Sequence, residues 1–229
     1  MTILCIRHLL STHPEKRNLR TVNDIIQPIP LPVSRGPVEH ERREQIVSAA
    51  LAHFRVHGYS KTSVAELAKS IGVSSAYVYR FFDSKQSIGE AVCFETLATV
   101  AKRLFAVESE AGTASNKLRQ FYTVLVESGH ELFVEHRNMH ELVAGAVSQN
   151  WTAVANHRKT IRAILQRIVL EGRASGEFER KTPLDEVVLG LGQLALPFAH
   201  PMLLAQRELP DLRASSIAVA ALALRSLAP

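Results

Sequence analysis

Hydrophobic side chains recur every three or four residues along most of the chain, which is the spacing of one face of an α-helix. The first such stripe ends before Gly58, a residue suited to a helix C-terminus, and consists of Ile46, Val47, Ala50, Leu51 and Phe54. Two later stripes have the same spacing: Leu118, Phe121, Tyr122, Leu125, Val126, Leu132 and Phe133, and then Ile161, Ile164, Leu165, Ile168 and Val169. Further apolar segments span 187–204 and 217–227, and no alternating pattern typical of strands occurs. The pattern predicts an all-α fold.

A capping box follows the first stripe at Ser63-Val64-Ala65-Glu66. In this motif the serine hydroxyl accepts a hydrogen bond from the Glu66 amide, and the carboxylate of Glu66 accepts one from the Ser63 amide. The helix that begins here is only about two turns long, because Gly72 then allows a sharp turn in the backbone.

Ser74 offers a second cap, and the helix after it is predicted to run from Ser75 to Phe82. Two short helices joined by a tight turn form a helix-turn-helix, whose second helix enters the major groove of DNA in many regulators. A third cap at Ser84 begins a longer helix that is predicted to continue to about Glu108.

The excess of positive over negative charge is confined to the first 85 residues of the chain. The formal net charge is +5, to which residues 1–38 contribute +3, residues 39–85 contribute +2, and the remaining 144 residues contribute zero. A basic end on a neutral body favours a polyanionic partner for that end.

The chain divides into three predicted segments. Residues 1–38 contain five prolines and no sustained period, so we expect a flexible basic extension. Residues 39–86 form the predicted helix-turn-helix domain, and residues 87–229 form a larger helical domain. With 46% hydrophobic residues and a mean hydropathy of +0.03, the chain has enough apolar material for one substantial core.

Few other features indicate compartment or chemistry. Cys5 and Cys93 cannot form a disulfide framework, which fits a reducing cytosol. The most apolar region, 187–204, is interrupted by polar residues and prolines, so no membrane span is predicted and a cytoplasmic, nucleoid-associated protein is expected. No phosphate-binding glycine loop, nucleophile elbow or paired-carboxylate motif is present, so neither an enzyme nor a cofactor is predicted.

His136 and His140 are four residues apart and would share one face of a helix, as a metal-binding pair does. However, the His-Glu-x-x-His arrangement is absent, and Glu135 and Arg137 beside His136 indicate a solvated face. No metal site is predicted.

The helix-turn-helix region resembles the N-terminal domain of the tetracycline-repressor family. The positions that carry this resemblance are Arg42, Ile46, Val47, Ala49, Ala50, Phe54, Gly58, Tyr59, Thr62, Ser63, Val64, Leu67, Ala68, Gly72, Val73, Ser74, Tyr77, Val78, Tyr79, Arg80, Phe81, Phe82, Ser84 and Lys85. The remaining residues share only helicity and length with that family. The resemblance implies a DNA-binding regulator that dimerises and binds a small molecule through its larger domain.

The resemblance also implies roles for individual residues. Thr62 and Ser63 correspond to residues that touch phosphate at the start of the second helix. Tyr79 corresponds to a phosphate-contacting tyrosine on the recognition helix. Lys85 corresponds to a lysine that binds the DNA backbone, at a helix N-terminus whose dipole favours an anion.

The start of the recognition helix is expected to face the bases through three residues that follow the Ser74 cap, namely Ser75, Ala76 and Tyr77. Phe81 departs from the His or Tyr that is frequent in relatives. Because Phe cannot contact phosphate as His or Tyr does, Arg80 or Tyr77 is expected to contact the DNA backbone instead.

An apolar effector pocket is predicted in the larger domain between the helices at 118–133, 139–151 and 160–170. Its expected lining is Phe121, Leu125, Met139, Val143, Trp151, Ile161 and Leu165. His130, His140 or Gln149 would orient a bound molecule.

The dimer interface is predicted on the last two long helices. The expected contact residues are Leu191, Leu194, Ala195, Ile217, Ala221 and Leu224. The resulting hypothesis is a homodimeric repressor that binds an inverted-repeat operator in double-stranded DNA and is released by a small, largely apolar effector. The alternative is an effector-independent activator or nucleoid-type DNA-binding protein of the same fold.

Overall fold

The computed structural model describes residues 37–133 and 136–229. In this part of the chain helices follow one another without a strand, which confirms the predicted all-α fold. The helices are α1 (Pro37–His57), α2 (Val64–Ser70), α3 (Ser75–Tyr79), α4 (Lys85–Ser109), α5 (Ala114–Phe133), α6 (Arg137–Ser148), α7 (Thr152–Ser175), α8 (Leu184–Ala199), α9 (Pro201–Leu204) and α10 (Leu209–Ser226). The predicted extension at 1–38 lies almost wholly outside the described residues.

The second short helix is shorter than the sequence predicted, because α3 ends at Tyr79 rather than at Phe82. The amides of Arg80 and Phe81 donate to carbonyls three residues back, at 3.2 and 3.0 Å, and so tighten the chain into a turn. Phe82 then turns into the core, where its side chain is buried, and Ser84 caps α4. Burial of Phe82 therefore outweighs continuation of the helix.

One continuous hydrophobic core extends from Ile46 in α1 to Leu227 after α10. The long α4 packs along α7 and α5, and α5 also contacts α8 and α10. The hydroxyl of Tyr122 on α5 donates to the carbonyl of Leu191 on α8 at 3.0 Å, which fixes these two helices at the centre of the larger domain.

The helix α4 belongs to both parts of the molecule. Its first turn closes the helix-turn-helix domain, whereas its later turns lie within the larger domain, where Leu104 and Phe105 are buried. The predicted boundary between residues 86 and 87 falls inside this helix. One continuous helix therefore links the helix-turn-helix to the larger domain.

Candidate DNA-binding surface and cavity

The turn between α2 and α3 is built as the sequence indicates. Gly72 has φ +70°, a conformation that side-chain-bearing residues rarely adopt, and the amide of Val73 donates to the carbonyl of Ala68 at 3.0 Å. The hydroxyl of Ser74 accepts from the Tyr77 amide at 3.1 Å and caps α3. These bonds hold α3 at a fixed angle to α2.

The outer face of α3 presents a compact polar and aromatic surface. Ala76 and Arg80 are exposed, Tyr79 is 49% exposed, and Ser75 and Tyr77 are half-buried. The Tyr77 ring lies 5.2 Å from the ring of Phe81, and the guanidinium of Arg80 lies 5.8 Å from the Tyr77 ring. The five residues predicted to face DNA on this helix and its C-cap are thus all exposed or half-buried.

Lys85 lies beside this surface at the N-terminus of α4. Its Nζ donates to the carbonyl of Ser60 at 3.3 Å and lies 4.6 Å from the centre of the Tyr59 ring. The hydroxyl of Ser84 accepts from the Ser87 amide and caps the same helix end. A fixed cation is thus held at the positive end of the helix dipole, which favours an anion such as phosphate.

Thr62 and Ser63, both predicted to touch phosphate, lie in different environments. Thr62 is buried, and its hydroxyl donates to the carbonyl of Gly58 at 2.7 Å and contacts Nδ1 of His53 at 3.2 Å. That hydroxyl is already used inside the protein and is unavailable to phosphate. Ser63 is exposed and forms the predicted capping box with Glu66, whose hydrogen bonds from Ser63 lower the pKa of that carboxylate.

The helix α6 joins the larger domain to the helix-turn-helix domain at both of its ends. At its start, Asn138 donates from Nδ2 to the carbonyls of Arg55 and Val56 in α1, at 2.8 and 3.0 Å. Just beyond its end, the ring of Trp151 meets the ring of Tyr59 edge to face at 5.7 Å. These contacts were not predicted from the sequence.

Gly89 of α4 lies under that aromatic pair. A Cβ at this position would lie 2.7 Å from Cε2 of Tyr59 and 2.9 Å from Cη2 of Trp151. Only glycine therefore allows α4 to approach both rings. A glycine inside a long predicted helix was the sequence signal for this contact.

Most of the predicted pocket residues lie in the packed core instead of around a cavity. Phe121, Leu125, Met139, Trp151 and Leu165 are buried against neighbouring helices, whereas Val143 and Ile161 line the cavity described below. The predicted orienting groups are also used elsewhere. His140 Nε2 contacts the carbonyl of Pro201, and the side-chain oxygen of Gln149 accepts from Trp151 Nε1 at 3.1 Å. His130 does not line the cavity.

The cavity lies between α7 and α8 and has a volume of about 380 Å³. This volume is in the range of small-molecule sites, which is roughly 300–1,000 Å³. Apolar side chains from α4, α6, α7 and α8 make most of its wall: Leu97, Val143, Val147, Val154, Ile161, Val188, Leu189 and Leu196. It shares Val143 and Ile161 with the pocket predicted from the sequence and extends toward α8, which that prediction did not include.

The polar side chains that line this cavity are two arginines, two histidines and a glutamine. Arg158, Arg162, His157, His200 and Gln193 line it, and no Asp or Glu among the described residues does so. Burial, with a smaller contribution from the Arg158 charge, lowers the pKa of His157 to about 4, so that His157 is neutral near pH 7. The buried Nδ1 of His200 has no hydrogen-bond partner in the described part of the chain.

The predicted dimer residues face different ways. Leu191 and Ala195 are buried within the protomer, Leu194, Ala221 and Leu224 are half-buried, and Ile217 is 67% exposed. Other apolar side chains on α8, α9 and α10 are the exposed ones: Leu189, Leu196, Met202, Leu203 and Leu222. Leu191 and Ala195 therefore complete the protomer's own core, whereas Ile217 is free to contact a partner.

Two further sequence expectations concern metals and membranes. His136 is exposed just before α6, and within residues 37–133 and 136–229 no cluster of three His, Cys, Asp or Glu side chains is placed to hold a metal ion. Across the same residues, every helix is too short or too polar to cross a membrane.

A basic and aromatic face on α3, a cation at the start of α4 and the fixed turn at Gly72 define a helix-turn-helix DNA-binding protein. Comparison with known families agrees. The sequence model for "Bacterial regulatory proteins, tetR family" matches residues 46–92, and the model for "Tetracyclin repressor-like, C-terminal domain" matches residues 114–220. The chain belongs to the tetR family of bacterial regulatory proteins and is a DNA-binding transcriptional regulator.

Individual proteins extend this comparison. Nucleoid occlusion factor SlmA of Haemophilus influenzae is 26% identical over 193 residues, which cover 78% of this chain and 85% of SlmA. A transcriptional regulator from Cytophaga hutchinsonii has the same fold, with a TM-score of 0.67 and 21% identity over 82% of this chain and 99% of that one. FadR from Bacillus subtilis, solved in complex with stearoyl-CoA, gives a TM-score of 0.57 and 22% identity over 80% of this chain and 98% of FadR.

Proposed function

We propose that this regulator is a homodimeric repressor that binds an inverted-repeat operator and releases it when a small molecule enters the cavity between α7 and α8. The DNA contacts come from the surface formed by Ser75, Ala76, Tyr77, Tyr79, Arg80 and Lys85, with the caps Ser63 and Ser74 at the helix N-termini. Binding of a ligand by the related fold of FadR supports an effector.

The observation that carries this proposal is the placement of α6. Val143 in the middle of this helix and Val147 near its end line the cavity. The helix-turn-helix domain is contacted at the start of α6, through Asn138 at α1, and just beyond its end, through Trp151 at Tyr59. A ligand that displaces α6 by pressing on Val143 and Val147 would therefore shift α1 and Tyr59, and with them the recognition helix.

The required energy is modest. A hundredfold loss of operator affinity corresponds to a coupling free energy of about 2.7 kcal/mol between ligand and DNA. The cavity contributes to this coupling only if the ligand prefers one position of α6 over the other. The hydrogen bonds of Asn138 and the ring contact of Trp151 would change if a ligand displaced α6.

The proposal includes a dimer because an inverted-repeat operator has two half-sites, and a two-fold symmetric dimer places one recognition helix on each. The exposed apolar side chains of α8 and α10, including Ile217 and Leu222, are the proposed contact surface. Association through these helices would place two copies of α3 on the same side of the dimer, about one helical turn of DNA or more apart.

Fluorescence anisotropy with a labelled DNA fragment from upstream of the protein's own gene tests the proposal. We expect specific binding that exceeds binding to a scrambled fragment of the same length and that weakens steeply with salt. Footprinting should then show protection of two half-sites related by a dyad. Equal affinity for both fragments at moderate salt would contradict a specific operator upstream of the gene.

The second candidate is an effector-independent nucleoid-type DNA-binding protein, which the match to SlmA over 85% of that protein favours. The two candidates differ in distribution on the chromosome. Chromatin immunoprecipitation should give a few promoter-proximal sites for a repressor, whereas many sites spread over the chromosome would favour the nucleoid-type function. Expression of the neighbouring genes should rise in a deletion strain only if the protein represses them.

A further inference from the structure

The mouth of the cavity between α7 and α8 carries two positive charges without counter-charges. Arg158 and Arg162 are four residues apart on α7 and so lie next to each other on one helix face. Neither guanidinium forms an ion pair or hydrogen bond within the described residues. Like charges at this spacing repel each other, so an anion placed between them would relieve the repulsion.

The remaining polar groups of the cavity do not supply that anion. His157 is neutral near pH 7, because burial lowers its pKa to about 4. Gln193 is uncharged, and the described residues place no carboxylate on the wall. His200 adds a ring Nδ1 that is buried and unpaired, and this nitrogen is available for a hydrogen bond to a ligand.

The more buried part of the cavity wall is mainly apolar. Val143 and Val147 of α6, Ile161 of α7 and Val188 of α8 provide methyl groups around the inner part of the cavity. An apolar body would fill this part by the hydrophobic effect, whereas a charged group there would lose its hydration without compensation. The wall therefore separates an apolar interior from a cationic mouth.

We infer that the cavity binds an amphipathic organic anion, with its apolar body against α6 and its anionic head group between Arg158 and Arg162. Guanidinium groups suit this task because they offer several N–H donors to the oxygens of a carboxylate. A neutral molecule of the same shape gains nothing from the arginines, and a cation is repelled. The inference rests on the proposed function only for the consequence of binding, namely release of DNA.

Calorimetry on the full-length protein tests the inference with three ten-carbon probes that differ in head group: decanoate, decanol and decyltrimethylammonium, each below its micelle-forming concentration. We expect decanoate to bind most tightly and decyltrimethylammonium most weakly. Arg158→Gln and Arg162→Gln should each weaken decanoate binding roughly tenfold or more, because each removes charged hydrogen bonds to the head group. Lys159→Gln is the matched control, since it removes one exposed charge from the same helix outside the cavity.

Three results would overturn the inference: equal affinity for decanoate and decanol, full decanoate affinity in both arginine variants, or no binding of any probe. Circular dichroism and thermal unfolding establish that the variants are folded. DNA anisotropy is measured separately on the same samples. If decanoate binds through Arg158 and Arg162 yet leaves DNA affinity unchanged, the anion site stands and the effector-controlled repressor fails.

Discussion

Asn138, the second residue of α6, donates a hydrogen bond from Nδ2 to the carbonyl of Arg55 in the last turn of α1 at 2.8 Å. The last four carbonyls of a helix have no partner within it, so a side chain from elsewhere is able to satisfy them. A second bond from the same nitrogen reaches the carbonyl of Val56 at 3.0 Å. One side chain of the larger domain thus completes a helix of the DNA-binding domain.

Asn138→Ala should destabilise the protein by about 1 kcal/mol, because two hydrogen bonds are lost while the freed carbonyls gain access to water. Urea unfolding followed by circular dichroism measures this change. Asn116→Ala, which alters an exposed asparagine in the first turn of α5, is the control and should have little effect. Equal stability of the Asn138→Ala and control variants would show that the Asn138 contact contributes nothing to stability.

Gly89→Ala and Gly145→Ala should have opposite effects on stability. In both helices alanine has the better helix propensity, by about 1 kcal/mol. At Gly145 an added Cβ meets nothing within 4 Å, so Gly145→Ala should stabilise the protein. At Gly89 the Cβ lies 2.7 Å from Tyr59 and 2.9 Å from Trp151, and overpacking of this kind costs about 1–3 kcal/mol.

Because Trp151 is buried and has little room to retreat, we expect the overpacking to exceed the propensity gain at Gly89. Urea midpoints of the two variants measure the comparison directly. A stabilised Gly89→Ala variant would mean that the two rings move aside easily, and α6 would then be a poor lever for the recognition helix.

Local signals in the sequence predicted the parts of the structure that depend on nearby residues. The capping box at Ser63 and Glu66, the turn at Gly72 and the cap at Ser84 all form as predicted, since each depends on contacts within a few residues. The predicted end of α3 at Phe82 was wrong, because burial of the Phe82 side chain, a tertiary contact, determines where the helix ends.

The cavity and the outer surface depend on contacts between distant segments, which an apolar stripe does not encode. A stripe that contains Phe121 or Leu165 indicates burial, but burial against a helix and burial around a cavity have the same pattern. The sequence was equally ambiguous about which face of α8 is buried. Leu191 and Leu189 are two residues apart in one apolar segment, yet Leu191 is buried and Leu189 is 49% exposed.

Ile217→Asp combined with Leu222→Asp should convert a dimer into folded monomers. These side chains are 67% and 59% exposed in the protomer, so the substitution leaves the core intact but places unpaired charges in a contact surface. Size-exclusion chromatography with light scattering gives the mass. Leu170→Asp, at a leucine on α7 that is 45% exposed, is the control and should leave the dimer unchanged.

Leu191→Asp should behave differently from the surface pair, since Leu191 is only 4% exposed. Its carboxylate would be buried among apolar side chains, and unfolding rather than clean dissociation is expected. A stable dimer of the surface double variant would contradict the interface proposed on α8 and α10. A folded monomer from Leu191→Asp would instead show that Leu191 contacts the partner and is not needed for the protomer's own core.

Cys93 should be nearly inert to thiol reagents in the folded protein. Burial raises the pKa of its thiol to about 12, and only the thiolate reacts. With a pKa this high the thiolate fraction at pH 8 is about two-thousandfold below that of a free cysteine, whose pKa is about 8.5. The reaction should accelerate as pH rises toward 12 or when denaturant exposes the residue.

The measurement uses the Cys5→Ser variant, so that Cys93 is its single thiol. Absorbance with a disulfide reagent at pH 8, with and without guanidinium, gives the two rates. Rapid reaction of the folded variant would show that the core around Cys93 opens on the timescale of the assay.

Lys85→Ala and Tyr79→Phe should weaken binding to every DNA sequence by the same factor, because both residues are proposed to contact phosphate rather than bases. Lys85→Ala should also reduce the slope of log affinity against log salt by about 0.9, the value for one neutralised phosphate. Tyr79→Phe keeps the exposed ring and removes only the hydroxyl, so its salt slope should not change.

Lys102→Ala is the control for Lys85. It removes a lysine from the same helix about 25 Å away, beyond the Debye length in physiological salt. A Lys85→Ala variant with an unchanged salt slope would show that this cation only holds Tyr59 and Ser60, the two residues it contacts in the structure, and does not bind DNA.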